Sequence, residues 1–157
     1  GGVFFIDEAY SLMGDNFGQE ATNTILPMLL DYKGKMVCIA AGYPREIRQW
    51  IDTNSGLESR FTKVIHFEDY NPDELAQIFR MKAKKDKLTL TPEAENAMRV
   101  YFTDLYNRRE RNFANAREVN NYFDRVKKNQ SSRLRHEMER PDFDPASYSI
   151  LLPEDMG

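Results

Sequence analysis

The sequence predicts an α/β layer followed by an all-helical lobe, and three observations carry that reading. Short apolar runs at 3–6, 36–41 and 64–67 read as strands. The segments between them, 19–32 and 45–52, have helical spacing, and beyond Tyr70 helical periodicity takes over.

Val3-Phe4-Phe5-Ile6 is apolar at consecutive positions, which suits a strand covered on both faces, as in a parallel sheet. From 19 to 32, Ala21, Ile25, Leu26, Met28, Leu29 and Tyr32 recur at helical spacing, with Gly34 beyond them as a stop signal. Pro27 falls inside that span and is expected to disturb it. A second buried strand covers 36–41, Gly42-Tyr43-Pro44 turns the chain, and 45–52 forms a short helix that Thr53-Asn54-Ser55-Gly56 breaks. Val64-Ile65-His66-Phe67 reads as a third strand.

Past Tyr70, Asn71-Pro72-Asp73-Glu74 is a helix start, with proline at the first helical position and acids in the first turn. Leu75, Ile78, Phe79 and Ala83 mark its buried face. Thr91-Pro92-Glu93 starts another helix, with Ala94, Ala97, Met98, Tyr101, Phe102 and Leu105 facing inward. A third runs over 114–140 with Ala116, Val119, Phe123 and Val126 as its stripe. The expected division is an α/β part at 1–70, a helical lobe at 71–140 and a tail at 141–157 with one short strand near 149–152.

Composition bounds the function. Of 157 residues 41% are hydrophobic and 30% charged, and 22 basic against 25 acidic side chains give a net charge of −3, which excludes a polybasic tail protein. Cys38 is the only cysteine, and His66 and His136 lie far apart, so a disulfide scaffold and a cysteine-and-histidine zinc site are excluded. No apolar run approaches the roughly 18 residues of a membrane span. The opening Gly1-Gly2 leads straight into a strand pattern without a signal peptide, which reads as a fragment cut from a larger domain in a reducing, cytoplasmic compartment. Charge is uneven: no basic residue precedes Lys33, whereas 108–140 holds ten basic residues against five acidic. That stretch is either a solvated helix face or a surface turned to an anion. His66 reads as a structural histidine, His136 as a solvent-facing helix residue and Trp50 as core packing.

An apolar strand ending in Asp7-Glu8 places two acids at the carboxyl edge of a parallel sheet, where α/β proteins bind ligands. In a P-loop nucleotidase this is the Walker B position. The first acid helps to hold Mg²⁺ through its water shell, and the second orients or deprotonates the attacking water. The same six residues also suit a strand that merely runs into a helix cap.

The surrounding motifs decide between these. Gly2-Val3-Phe4-Phe5-Ile6-Asp7-Glu8-Ala9-Tyr10-Ser11-Leu12, Phe17-Gly18-Gln19-Glu20-Ala21, Ala41-Gly42-Tyr43, Gly56-Leu57-Glu58-Ser59-Arg60-Phe61 and Asn115-Ala116-Arg117 follow in order. Together they resemble the AAA+ ATPases of the CbbX, stage V sporulation protein K and type VII secretion group, over almost the whole chain. The resemblance implies a partial P-loop AAA+ core followed by a helical lid, with ATP and Mg²⁺ as cofactors. It implies that Glu8 is catalytic and that Asp7 is the metal-side acid. Arg60 matches the arginine that reaches the γ-phosphate of a neighbouring subunit; alternatively it pairs with Asp52 or Glu58. Arg117 matches sensor 2, contacting phosphate in its own subunit; alternatively it forms a helix-surface pair with Glu118 or the turn of Asn121. At sensor 1 the chain reads Ala40-Ala41-Gly42-Tyr43, where relatives often carry Asn, Thr or Ser, and Tyr43 is the nearby hydroxyl. The segment 13–18 matches a second pore loop, in which Phe17 either touches a threaded polypeptide or packs under the following helix.

Pro27 and Ser55 depart from the family pattern without touching the proposed chemistry. No G-x-x-x-x-G-K-[ST] motif occurs, so the phosphate cradle of Walker A is missing and this stretch is expected to be inactive alone. The resemblance implies a hexameric homo-oligomer that uses ATP turnover to remodel or thread a protein substrate. Two other readings compete: a non-catalytic AAA+ oligomerisation or adaptor module, and a relative acting on nucleic acid, which only the basic stretch 108–140 supports.

Overall fold

A computed structural model describes residues 1–110 and 113–157. Arg111 and Asn112, two members of the 108–140 stretch read for its charge, lie outside the described residues. The chain divides into two compact units, Gly1–Phe67 and Glu68–Gly157.

In the first unit, β1 (Gly2–Ile6) pairs in parallel with β2 (Met36–Ala40), with Gly2 opposite Met36 and Ile6 opposite Ala40. Parallel pairing requires a crossover, which α1 (Asn16–Asp31) supplies. Asp15 caps α1 by accepting the Gly18 N–H at 2.7 Å, so the helix starts earlier than its apolar spacing indicates. The helix runs unbroken through Pro27. A proline there removes one N–H near the last turn, a local loss that the rest of the helix outweighs. Then follow α2 (Pro44–Asp52) and α3 (Ser55–Arg60). The latter falls where the sequence indicated only a break; Asn54 starts it by accepting the Gly56 N–H at 2.8 Å.

One face of the β1–β2 pair packs on the core of this unit, where Ala9, Trp50, Ile51 and Leu57 are buried with Ile6, Tyr10, Leu26, Ala40, Ile47 and Phe61 against them. Trp50 is 1% exposed and meets the Phe61 ring in a tilted contact at 5.5 Å, as its reading as a packing residue requires. On the opposite face Val3, Phe5, Val37 and Ile39 are exposed. The expectation of a sheet covered on both faces is therefore corrected. The third strand is corrected too: 64–67 has no strand structure, and Val64, Ile65 and Phe67 are exposed. Apolar, β-prone residues make a strand only where a neighbour completes the ladder, and among the described residues β1 and β2 pair only with each other. His66, expected on that strand, lies on an exposed segment.

The second unit is built on α4 (Pro72–Lys85), α5 (Pro92–Asn107) and α6 (Ala116–Glu137). Asn71 and Glu74 form a reciprocal capping box on α4, and Thr91 caps α5. Leu75, Phe79, Ala83, Ala94, Met98, Phe102, Val119, Phe123 and Val126, read from periodicity as the inward faces, are all buried. Phe79 meets Phe102, Tyr122 and Phe123 with ring centroids 5.2 to 6.2 Å apart, in tilted and edge-on geometries.

The tail closes this core. A two-residue parallel pair joins β3 (Thr89–Leu90) to β4 (Ile150–Leu151), and the final turn Pro153–Met156 packs on α5 and α6. Asp155, 1% exposed, takes a two-pronged ion pair from Arg133 (2.9 and 3.0 Å) and accepts the Leu152 N–H at 2.8 Å. These bonds hold the Arg133 guanidinium protonated well beyond its ordinary range. Tyr122 donates its hydroxyl to the Met156 carbonyl at 3.1 Å, and burial pushes its phenol up to about 12.

Candidate functional site

The parallel register aligns the carboxyl ends of β1 and β2, and the backbone stitches them together beyond the strands. The Ala41 N–H donates to the Ile6 carbonyl at 2.8 Å and the Ala9 N–H donates to the Ala41 carbonyl at 3.1 Å. Asp7-Glu8 and Ala41-Gly42-Tyr43 therefore share one sheet edge, the place where open α/β sheets bind ligands. Asp7 turns one carboxylate oxygen back onto the Glu8 N–H at 3.0 Å. Glu8 sits in the left-handed region (φ 49°, ψ 47°), an uncommon conformation for a residue with a Cβ. Both acids are exposed.

Tyr10 completes this edge, and the sequence motifs gave it no role. Its ring stacks on Tyr43 at 6.5 Å. Partial burial, and then the Glu8 carboxylate beside it, push its phenol above the ordinary value, with Tyr43 and Glu46 adding to the effect. Gly42 makes the packing possible. A Cβ there would lie 2.7 Å from the Tyr10 ring, a separation that real contacts do not show. The signal in the sequence was a glycine just after a strand that faces an aromatic two positions past an acid pair.

Arg60 is anchored elsewhere in the same unit. Its Nε donates to the Leu26 carbonyl of α1 at 3.1 Å, and Nη1 donates to the Gly56 carbonyl and the Ser59 hydroxyl at 2.9 and 3.0 Å. The acids named as its alternative partners are taken by another arginine: Arg48 pairs with Asp52 at 3.1 Å and with Glu58 at 3.6 Å. Among the described residues Arg60 has no carboxylate partner. Neutral carbonyls orient its planar fork while leaving its charge uncompensated.

Phe17 lies in the first turn of α1 and is 81% exposed, so it does not pack under that helix. Arg117 belongs to the second unit. It is exposed in the first turn of α6, and among the described residues its side chain makes no hydrogen bond or ion pair. Its alternative as a partner of Glu118 is not seen.

No group of three or more His, Cys, Asp or Glu side chains placed to hold a metal occurs among the described residues. Asp7 and Glu8 are thus too few for a self-sufficient cage. They do suit Mg²⁺, which is ordinarily bound by one or two carboxylates together with substrate phosphates and waters. No helix among the described residues is long and apolar enough to cross a membrane.

The chain thus combines a parallel strand pair with two acids at its carboxyl edge and a separate helical unit. Residues 71–157 match the AAA lid domain family. Protein CbbX of Cereibacter sphaeroides is 36% identical over 160 residues, covering 99% of this chain and 51% of that protein. The chloroplastic ribulose bisphosphate carboxylase/oxygenase activase of Cyanidioschyzon merolae is 37% identical over 139 residues, covering 85% and 46%. The ESX-1 secretion system protein EccA1 of Mycobacterium tuberculosis is 44% identical over 100 residues, covering 60% and 18%. The chain belongs to the AAA+ family, in the group of CbbX and EccA1. It spans about half the length of CbbX, and 46% of the activase.

Proposed function

We propose that this chain contributes the Walker B edge and the lid of an AAA+ ATPase that hydrolyses ATP to remodel or thread a protein substrate. The observation that carries the proposal is the shared sheet edge, on which the segments of Asp7, Glu8 and Tyr43 lie side by side. The family membership and the names of the relatives support it. In this reading 1–70 is the end of the nucleotide-binding core and the lid, expected over 71–140, takes in the tail to residue 157. Walker A would come from outside this sequence, and the full-length protein would assemble as a hexamer.

Asp7 would hold Mg²⁺ through water, and Glu8 would orient or deprotonate the attacking water. The ion, when bound with ATP, supplies charge neutralisation at the phosphates. In support of that part, Glu8 leaves β1 through the left-handed region and its carboxylate lies beside Tyr10. Tyr43 would occupy the sensor 1 position. Arg60 would act on the nucleotide of the neighbouring subunit, its fork oriented by carbonyls and its charge unspent. Arg117 would contact phosphate in its own subunit.

The test is steady-state ATP hydrolysis by the full-length protein, with Glu8→Gln and Arg60→Ala beside wild type. We expect each variant to lose about a thousandfold or more in turnover while still binding ATP. Mixing the two variants should restore partial activity, because one mixed interface pairs an intact Glu8 with an intact Arg60. An inactive wild type would leave the adaptor reading standing. Full activity in Arg60→Ala would remove the trans role.

A further inference from the structure

Asn115 is the residue before α6, two positions from Arg117, and its backbone has φ 49° and ψ −121°. Glycine adopts that conformation freely; a residue with a Cβ is held in it by its surroundings. An asparagine before a helix ordinarily accepts an N–H from the first turn. This one does not: its side chain makes no cap hydrogen bond to α6. Its Oδ1 instead accepts the Tyr70 N–H at 2.8 Å, and its Nδ2 donates to Asp69 Oδ1 at 2.8 Å and to the Phe113 carbonyl at 3.4 Å.

The partners extend the junction. The second oxygen of Asp69 lies 3.6 Å from Arg109 Nε, just past the end of α5, and the Arg109 guanidinium sits 3.6 Å over the Tyr106 ring. Tyr70 directly precedes Asn71, the cap of α4. One side chain therefore ties the segment that opens the second unit, and through it the start of α4 and the end of α5, to the first turn of α6. Among the described residues the Arg117 side chain makes no hydrogen bond or ion pair to fix it, so its place depends on where that turn begins.

We infer that Asn115 is a positioning residue for Arg117: with Asp69 it forms a latch that sets the start of α6 and thereby aims the arginine. The inference rests on Arg117 acting on phosphate, as proposed above. A purely local role would be met as well by glycine, which fits the backbone without strain. What the amide adds over glycine is its bonds to residues 69 and 70.

The experiment measures kcat and KM for ATP in the full-length protein, together with thermal unfolding. Asn115→Gly keeps the backbone and removes the latch. It should melt close to wild type yet lose about ten- to a hundredfold in kcat/KM, the scale expected for a displaced contact. Asn115→Asp faces a second carboxylate at Asp69 and should lose as much. Adding Asp69→Asn to it restores a donor opposite an acceptor and should return kcat/KM to within about threefold of wild type. Arg117→Ala is the reference. If it is impaired while Asn115→Gly and Asn115→Asp are unchanged, or if the double variant fails to recover, the latch is wrong. If Arg117→Ala equals wild type, the phosphate role of Arg117 fails first and the latch with it.

Discussion

At residue 8 the chain leaves β1 through the left-handed region, and the ring of Tyr10 is packed against residue 42 only because that residue has no Cβ. Gly42→Ala would place a carbon 2.7 and 2.8 Å from two atoms of that ring and 3.0 Å from Ile47. Overpacking of this kind costs about 1 to 3 kcal/mol. We expect Gly42→Ala to be destabilising by that amount in chemical denaturation. Tyr10→Ala should relieve it, so that the double variant is less destabilised than the sum of the singles. The place of Asp7 and Glu8 at the end of β1 was legible because a strand ending in acids is a one-dimensional pattern. Tyr10 and Asn115 were not, since their importance comes from residues more than thirty positions away. Arg60 was legible as a motif, but the capture of Asp52 and Glu58 by Arg48 required the folded arrangement.

Helices were the readable elements. Capping signals at Asn71 and Thr91 and the inward stripes of α4, α5 and α6 all depend on residues three or four apart. Strands were less readable because pairing is non-local. The run 64–67 has the composition of a strand without a ladder, whereas β3, only two residues long, exists because β4 returns to it from sixty positions away. The closing turn Pro153–Met156 was equally hidden: Asp155 looked like one more acid in a tail. Asp155→Ala removes the buried carboxylate that Arg133 grips with two nitrogens, leaving Glu137 as its remaining acidic partner, and also frees the Leu152 N–H. It should lower the urea midpoint strongly, whereas Asp142→Ala, an exposed acid of the same tail, should leave it unchanged.

For the whole molecule, acid sensitivity follows from two carboxylates of the second unit. Hydrogen bonding from Arg80, with Arg99 adding, holds Glu95 below its ordinary value of 4.5, and Lys127 holds Asp86 below 3.8. A depressed folded value means that the stabilisation is present above the ordinary value and is lost as pH falls through the lowered one. Thermal unfolding followed by circular dichroism should therefore be insensitive to these two groups from pH 7 to 5 and should weaken below about pH 4. Glu95→Gln should lower the melting temperature at pH 7 and flatten its fall in acid.

The uncovered sheet face has a practical consequence at the same scale. Val3 lies beside Val37 and Phe5 beside Ile39, forming two apolar cross-strand pairs open to water on a sheet that, among the described residues, has only two strands. Such a surface makes colloidal behaviour, more than folding stability, the property that limits work with the chain on its own. Dye binding and light scattering should rise steeply with its concentration. Charged substitutions at Val37 and Ile39 are the changes to make before crystallisation or calorimetry is attempted.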